Sequence, residues 1–483
     1  MKTTAYKKLL IVFIAFCSCL ISQGQQYPDS LIRYLEIAAT NNPVVLQKFT
    51  EYEAALQKVP QAGSLSDPEL SLGAFLKPME LVGGNQVADI RLMQMFPWFG
   101  VLRNARDEMS LMANAKFELF RDAKLQVFYD VQRTWYDLYK IQKSISISEK
   151  NIEILKIIER LALVRFKAAI SGSPGTTNSG TSISAGSSPT ISSGSSGMQS
   201  MGAGTGSPGL SVSNPSAGSM QSGSMGTSTG SSDLANLYRI QIEAGDLENN
   251  IALLKSRKNS VLAQFNSYLN RPAATPVSVP ETIFPDTLGS SLIAVSDSIM
   301  ANNPMLDMLD YEKQSIEARK KMVSRMSYPM IGLGLNYMLI SKNEMSASAM
   351  NGKDMIMPMV TVTLPVYRKK YNAMVKEADL LKIATSQNYQ ATSNSLQNEY
   401  YQAVQLYQDS ERRVKLYDNQ YLLASKSLDL MLKSFSTSTS GLTDVLRVRQ
   451  QTLDYELKQV EAVADFNNAI AWLKRLMAYS QTE

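Results

Sequence analysis

Methionine brings the most distinctive side-chain chemistry to this chain, which has 25 of them. Met198, Met201, Met220 and Met225 fall in one Ser/Gly-rich segment, and Met355, Met357 and Met359 alternate along a short stretch. Thioethers are soft ligands suited to Cu(I) or Ag(I); methionine is equally an adaptable apolar filler. Other chemistry is largely closed. Histidine is absent, which removes Ser-His-Asp and Cys-His catalysis and every imidazole metal site. The two cysteines, Cys17 and Cys19, lie near the start of the chain. No phosphate loop is present, nor a nucleophile among clustered carboxylates. These absences predict a protein that is no enzyme and takes no cofactor. The net charge of +5 is spread along the chain and leaves no nucleic-acid footprint.

The start of the chain reads as an export signal. Lys2, Lys7 and Lys8 precede an apolar run from Leu9 to Leu20, too short for a spanning helix. Ser22-Gln23-Gly24 is a small-x-small cleavage site, so residues 1–24 are the predicted signal peptide. Lipidation at Cys19 or Cys17 is the alternative, although the residues before them fit a lipoprotein box poorly.

The rest of the chain says one thing twice. Asn42-Pro43 opens a helical stretch that leads to Asp67-Pro68 and Glu69-Leu70-Ser71-Leu72-Gly73. Asn303-Pro304 opens another that leads to Tyr328-Pro329 and Met330-Ile331-Gly332-Leu333-Gly334. The interval from Pro43 to Pro68 equals that from Pro304 to Pro329. Phe96-Pro97 and Leu364-Pro365 then each open a long helical run. Such self-similarity marks a tandem duplication. The predicted organisation is a first repeat over 25–270, an extended Pro-rich linker over 271–291 and a second repeat over 292–483. Helices are expected at 28–60, 99–168, 233–270, 292–326, 367–435 and 444–478. The runs 99–168 and 367–435 are longer than a globular domain is wide, which implies a coiled coil or helical tube. Residues 171–232 are dominated by Ser and Gly and carry no charge, so this insert is expected to be disordered.

Extended pairs are expected at about 68–97, around Gly83-Gly84-Asn85, and at about 328–365. In 331–338, Ile331, Leu333, Leu335 and Tyr337 alternate with Gly332, Gly334, Asn336 and Met338. Val360, Val362 and Leu364 alternate with Thr361 and Thr363. This pattern suits a barrel wall between lipid and water, and equally a half-buried soluble sheet. The export signal and the long helices favour the membrane. Four strands are too few to close a barrel, and open edges cannot face lipid. If the strands span a membrane, several chains must share one barrel. A soluble periplasmic coiled-coil scaffold is the competing class.

The ordered set of duplicated Asn-Pro helix starts, the Asp67-Pro68 and Tyr328-Pro329 strand starts, the Phe96-Pro97 and Leu364-Pro365 strand ends, and Asp444-Val445-Leu446 resembles the TolC family of outer-membrane efflux channels. The resemblance covers the chain after its signal apart from 171–232. It implies a mainly α fold with a small β part: two tandem repeats of long antiparallel coiled-coil helices, each with a two-strand hairpin. It further implies a homotrimer in the outer membrane, with a shared 12-stranded β-barrel in lipid and an α-helical tunnel in the periplasm. The implied partners are a periplasmic adaptor and an inner-membrane pump. Drug efflux and type I protein secretion are alternative duties. Asp67-Pro68-Glu69-Leu70 and Met93-Gln94-Met95-Phe96-Pro97-Trp98 look like the heavy-metal, CusC-like branch, which handles copper and silver.

The resemblance also implies a periplasmic gate. Asp444 matches an aspartate that rings the tunnel entrance, which would favour cations in a narrow pore; a helix-start aspartate facing the macrodipole is the other reading. Asp233 matches a lock aspartate in the first repeat. The sequence departs from the family pattern at Arg447, where a second ring aspartate would stand. Phe435 replaces a hydrogen-bonding tyrosine, and Ser440 replaces an arginine that locks neighbouring hairpins.

Overall fold

The computed structural model describes residues 31–81, 83–171, 229–345, 347, 349–437 and 441–479. The signal segment 1–24, the methionines of the insert (Met198, Met201, Met220, Met225), residues 172–228 on which its expected disorder mainly falls, and Ser440 lie outside the described residues; the two ends of the expected insert, Ser171 and 229–232, are helical instead, continuing the long helices on either side. The chain divides into two units, Ile152–Leu247 and the remainder.

The elements are α1 (Leu31–Asn41), α2 (Pro43–Gly63), β1 (Glu69–Leu81), β2 (Gly84–Phe96), α3 (Val101–Ser171), α4 (Thr229–Tyr268), α5 (Leu292–Asn302), α6 (Pro304–Met326), β3 (Met330–Ser341), β4 (Met355–Thr363), α7 (Arg368–Ser436) and α8 (Leu442–Leu476). Two helices, two strands, a long helix and a return helix thus occur in that order twice. The chain is mainly helical, as expected. At 1.5 Å per residue, the 69 residues of α7 span about 100 Å. Among the described residues no helix is long and apolar enough to cross a membrane.

Two expected helices, 28–60 and 292–326, are each broken in two. The break falls at Asn42-Pro43 and at Asn303-Pro304, for one physical reason. Pro fits the first position of a helix, where its missing N–H costs nothing, but not the interior. Each Asn is extended (φ −66°, ψ 124° and φ −71°, ψ 123°) and caps the helix behind it. Asn42 Oδ1 accepts from the N–H of Val44 at 2.9 Å, and Asn303 Oδ1 from that of Met305 at 3.0 Å.

The cores form where these short helices meet the long ones. Tyr34, Leu35 and Ala38 of α1 pack with Val127, Phe128, Val131, Trp135 and Leu138 of α3 and with Phe265. In the second half, Val295 and Ile299 of α5 pack with Leu396 and Ala403 of α7 and with Leu473 and Leu476 of α8. Between them the segment 271–291 runs without helix or strand, as the prolines predict. Side chains supply its backbone partners: the hydroxyls of Tyr34 and Tyr139 accept from Ser278 N and Ile283 N, and Asn467 accepts from Asp286 N and donates to Phe284 O.

In the smaller unit, Leu155, Ile158 and Ile240 are buried, and Gln241 donates to Glu159 at 2.9 Å.

Candidate functional site

The four strands make one antiparallel sheet in the order β1-β2-β3-β4. Its central ladder joins the two halves, from Asn85↔Ser341 to Phe96↔Ile331. Among the described residues no strand lies beside the outer edges of β1 and β4. Both edge strands contain a proline, Pro78 and Pro358, which an edge tolerates and a central strand does not. Gly84 (φ +125°) opens β2 where a Cβ would meet the Ser341 carbonyl and the Ile340 side chain, so the turn needs glycine there.

Register sorts the side chains onto two faces. One row of the first face is Leu70–Leu92–Leu335–Pro358, and the next is Leu72–Ile90–Tyr337–Ile356. Ile331 and Val362, then Leu333 and Val360, continue it. These aliphatic side chains are exposed: Leu72 is 72% and Val360 71% accessible. An exposed aliphatic face of this extent is foreign to a monomeric soluble surface. The opposite face holds Gly73, Asp89, Arg91, Asn336, Gly332, Gly334 and Thr361, and is less exposed. At the helical end of the sheet Trp98 stacks on Tyr328 with ring centroids 5.3 Å apart. Phe99 and Tyr367 stand exposed beside these strand ends in sequence. Aromatic residues at a strand end suit a lipid–water boundary.

Three of the expected gate residues, Phe435, Asp444 and Arg447, stand on the helices flanking the α7–α8 turn. Phe435 is buried, as are Leu442, Val445 and Leu446 on the other side of the turn; an apolar ring suits this position where a tyrosine hydroxyl would need a partner. Gly441 caps α8 without a side-chain bond. Asp444 lies in the first turn, where its charge favours the helix dipole. It is half exposed and pairs with Arg447 at 3.6 Å. The structure therefore brings Asp444 and Arg447 together. Asp233 falls in the second turn of α4 and belongs to the smaller unit.

Sequence reasoning missed a second set of polar residues. Asn42 and Asn303 do more than cap: their Nδ2 groups donate to the last helical carbonyls of the return helices, Tyr268 O at 2.8 Å and Leu476 O at 3.3 Å. Partly or wholly buried acids also went unread. Glu108, Glu118 and Asp122 on α3 are pushed up from the usual carboxylate range by burial, with Arg319, Arg121 and Arg475 respectively pulling the other way. Burial likewise raises Glu456 on α8 against Arg449, Lys150 and Lys143. Among the described residues no group of three or more acidic side chains could hold a metal ion.

No family model and no curated protein matches the chain. Solved structures do. The outer-membrane channel OprN aligns at 11% identity and a TM-score of 0.66, over 93% of this chain and 90% of its own. The outer membrane protein VceC of Vibrio cholerae aligns at 12% and 0.65, over 93% and 96%. CusC, described in terms of its folding and transmembrane channel formation, aligns at 11% and 0.63, over 94% and 95%. Along nearly its whole length, the chain has the fold of these outer-membrane channels.

Proposed function

We propose that this chain is the subunit of an outer-membrane exit channel of the TolC family. It would pass substrates from an inner-membrane pump and a periplasmic adaptor to the outside. One observation supports this most: among the described residues, a four-stranded sheet with both edges unpaired and an exposed aliphatic face. Unpaired edge groups cannot be left in lipid, and four strands are too few for a barrel. Three copies would pair β4 of one chain with β1 of the next, turn the aliphatic face to lipid and the Gly/polar face to water. The helices α3, α4, α7 and α8 would then form the periplasmic tunnel. In this reading residues 1–24 are removed on export, 25–270 and 292–483 are repeats of one ancestral unit, and 271–291 joins them. The insert 171–232 sits between α3 and α4, where the adaptor would approach.

Assembly tests it. Purified chain in detergent should run as a trimer by size exclusion with light scattering. A monodisperse monomer that keeps its strand signal in circular dichroism would overturn the reading. The gate is tested separately in reconstituted trimers, where Asp444→Ala should lower cation selectivity. Unchanged selectivity, with a loss of about 1 kcal/mol in stability, leaves Asp444 as a helix-start residue alone.

Heavy-metal duty is supported by the methionines rather than by fold. Likeness to CusC is no greater than likeness to OprN.

A further inference from the structure

We infer that the small-residue face of the sheet holds a binding site for a soft monovalent metal ion, Cu(I) or Ag(I), formed by the thioethers of Met93, Met95 and Met359 over Gly332 and Gly334. The register builds it. Gly334 of β3 pairs with Met93 of β2 on one side and Met359 of β4 on the other. Gly332 pairs with Met95 and Thr361. With strands about 4.8 Å apart, the two methionines flanking Gly334 have their Cα atoms about 10 Å apart, with no side chain between them. A Cβ at residue 334 would meet Met359 Cβ at 3.7 Å, and one at residue 332 would meet the Met95 sulfur at 2.6 Å. That sulfur therefore already lies over the glycine floor.

Two further observations favour a ligand over packing. First, the methionines are segregated. In the paired rows from Leu72–Ile90–Tyr337–Ile356 to Phe96–Ile331–Val362 the aliphatic face contains no methionine. Met93, Met95, Met338, Met355, Met357 and Met359 all stand on the other face, among Gly, Asn, Arg, Asp and Thr. Apolar filler belongs with apolar neighbours; thioethers on a polar face are available as ligands. Second, Asn336, two residues along β3 from Gly334, is 2% exposed and its Oδ1 has no hydrogen-bond partner. A buried amide oxygen without a partner calls for an ion or solvent to satisfy it. Arg91, whose Nε likewise has no hydrogen-bond partner, pairs with Asn336 in the register, and its charge opposes a hard divalent cation more than a soft monovalent one held by sulfur. The site thus selects by ligand softness rather than by charge. Its placement inside a pore rests on the channel reading, whereas the site itself rests on the register and on the placement of Met95 and Asn336.

The test is anaerobic competition of the purified full chain in detergent against a chromophoric Cu(I) chelator. The triple variant Met93→Leu/Met95→Leu/Met359→Leu keeps size and apolarity. It is expected to bind one Cu(I) fewer per chain than the parent. Met359→Leu alone should weaken that site at least tenfold, which keeps the test decisive where the triple variant fails to fold. The variant Met198→Leu/Met201→Leu/Met220→Leu/Met225→Leu should retain the sheet-bound ion, and Zn(II) should not compete. Unchanged Cu(I) stoichiometry and affinity in the triple or single variant overturns the inference, as does loss confined to the 198–225 variant or no Cu(I) bound by the parent. Light scattering on the same samples separates the two readings: a trimer that binds no Cu(I) sinks the site alone, and a monomer that binds it sinks the channel alone.

Discussion

The two places where a short helix pair meets its return helix share one hydrogen-bonding plan and differ in filling. In the first, α4 ends with Arg271 N bonded to Asn266 O and Asn270 N to Ser267 O. In the second, α8 ends with Tyr479 N bonded to Lys474 O and Ala478 N to Arg475 O. Both are Schellman ends, with a left-handed residue, Asn270 (φ 52°) or Ala478 (φ 55°). In both, one carbonyl escapes the motif, and Asn42 or Asn303 reaches across to satisfy it. The filling is another matter. The first junction is aromatic: Tyr34 meets Phe265 edge-on at 5.1 Å, and Arg271 covers the Tyr34 ring at 5.4 Å. The second is aliphatic, with Val295, Ile299 and Leu473 fully buried. Polar geometry at a junction admits few solutions, because each buried donor and acceptor needs a partner at a fixed place. Apolar volume admits many, because any set of side chains that fills the space will serve.

Side-chain truncation offers the harshest way to break this comparison. Phe265→Ala at the aromatic junction is expected to cost about 3–5 kcal/mol, and Leu473→Ala at the aliphatic one about 2–5 kcal/mol, as read by chemical or thermal unfolding. Costs under about 1 kcal/mol at both sites would mean the junctions are not the cores described. Asn42→Ala and Asn303→Ala come next. Each removes a cap, about 1 kcal/mol, and strands a buried carbonyl, about 1–3 kcal/mol. The two losses should agree to within about 1 kcal/mol if the plan is shared, and a loss at one site alone would break it.

The left-handed positions sharpen the comparison with a smaller effect. Ala478 adopts a conformation that alanine disfavours, so Ala478→Gly should stabilise by about 0.5–1 kcal/mol. Asn270→Gly should change stability by only a few tenths, since asparagine already tolerates that region. Equal gains at both would contradict the backbone argument. The smallest expected effect is electrostatic. Asp122 lines the same recess as Asn303, Glu399 and Arg475 at the second junction, and burial raises its pKa against the pull of Arg475. A carboxyl whose folded pKa is raised costs stability when ionised, and that cost disappears as pH falls through the folded value. Asp122→Asn should therefore raise the melting temperature near neutral pH, with a gain that shrinks on acidification. A gain independent of pH would remove Asp122 from the account.

Much of this fold could be read in the sequence because its signals are local. Asn-Pro states both the cap and the first helical position, and the Ile331–Leu333–Leu335–Tyr337 alternation states a strand and its apolar face. Signals failed where chemistry and pattern part. The Met355-Ile356-Met357-Pro358-Met359 run is apolar throughout, so period two is hidden there and shows only from Val360 on, within the extended pair expected over about 328–365. The irregularity of β1, whose register shifts between Ala74 and Met79, leaves no signal in the sequence either, although the strand pair itself was expected over about 68–97. The buried clamp from Asn42 to Tyr268 and the meeting of Met93 with Met359 across Gly334 link residues far apart in the chain. Cross-strand register and helix docking set those contacts, and neither leaves a mark within a single window of sequence.

The ladder between β2 and β3 has a consequence for how the molecule is made. Phe96 finds Ile331, and Asn85 finds Ser341, yet α3, α4, α5, α6 and everything between must be synthesised before β3 exists. During that interval β2 can pair with β1 on one side and has an unfilled edge on the other, flanked by Ile90 and Leu92. Non-local pairing of this kind is slow, since the intervening chain must be closed into a loop first. An open apolar edge is also a template for strands of other chains. Truncation anywhere between Phe96 and Met330 should therefore yield aggregates rather than half a sheet.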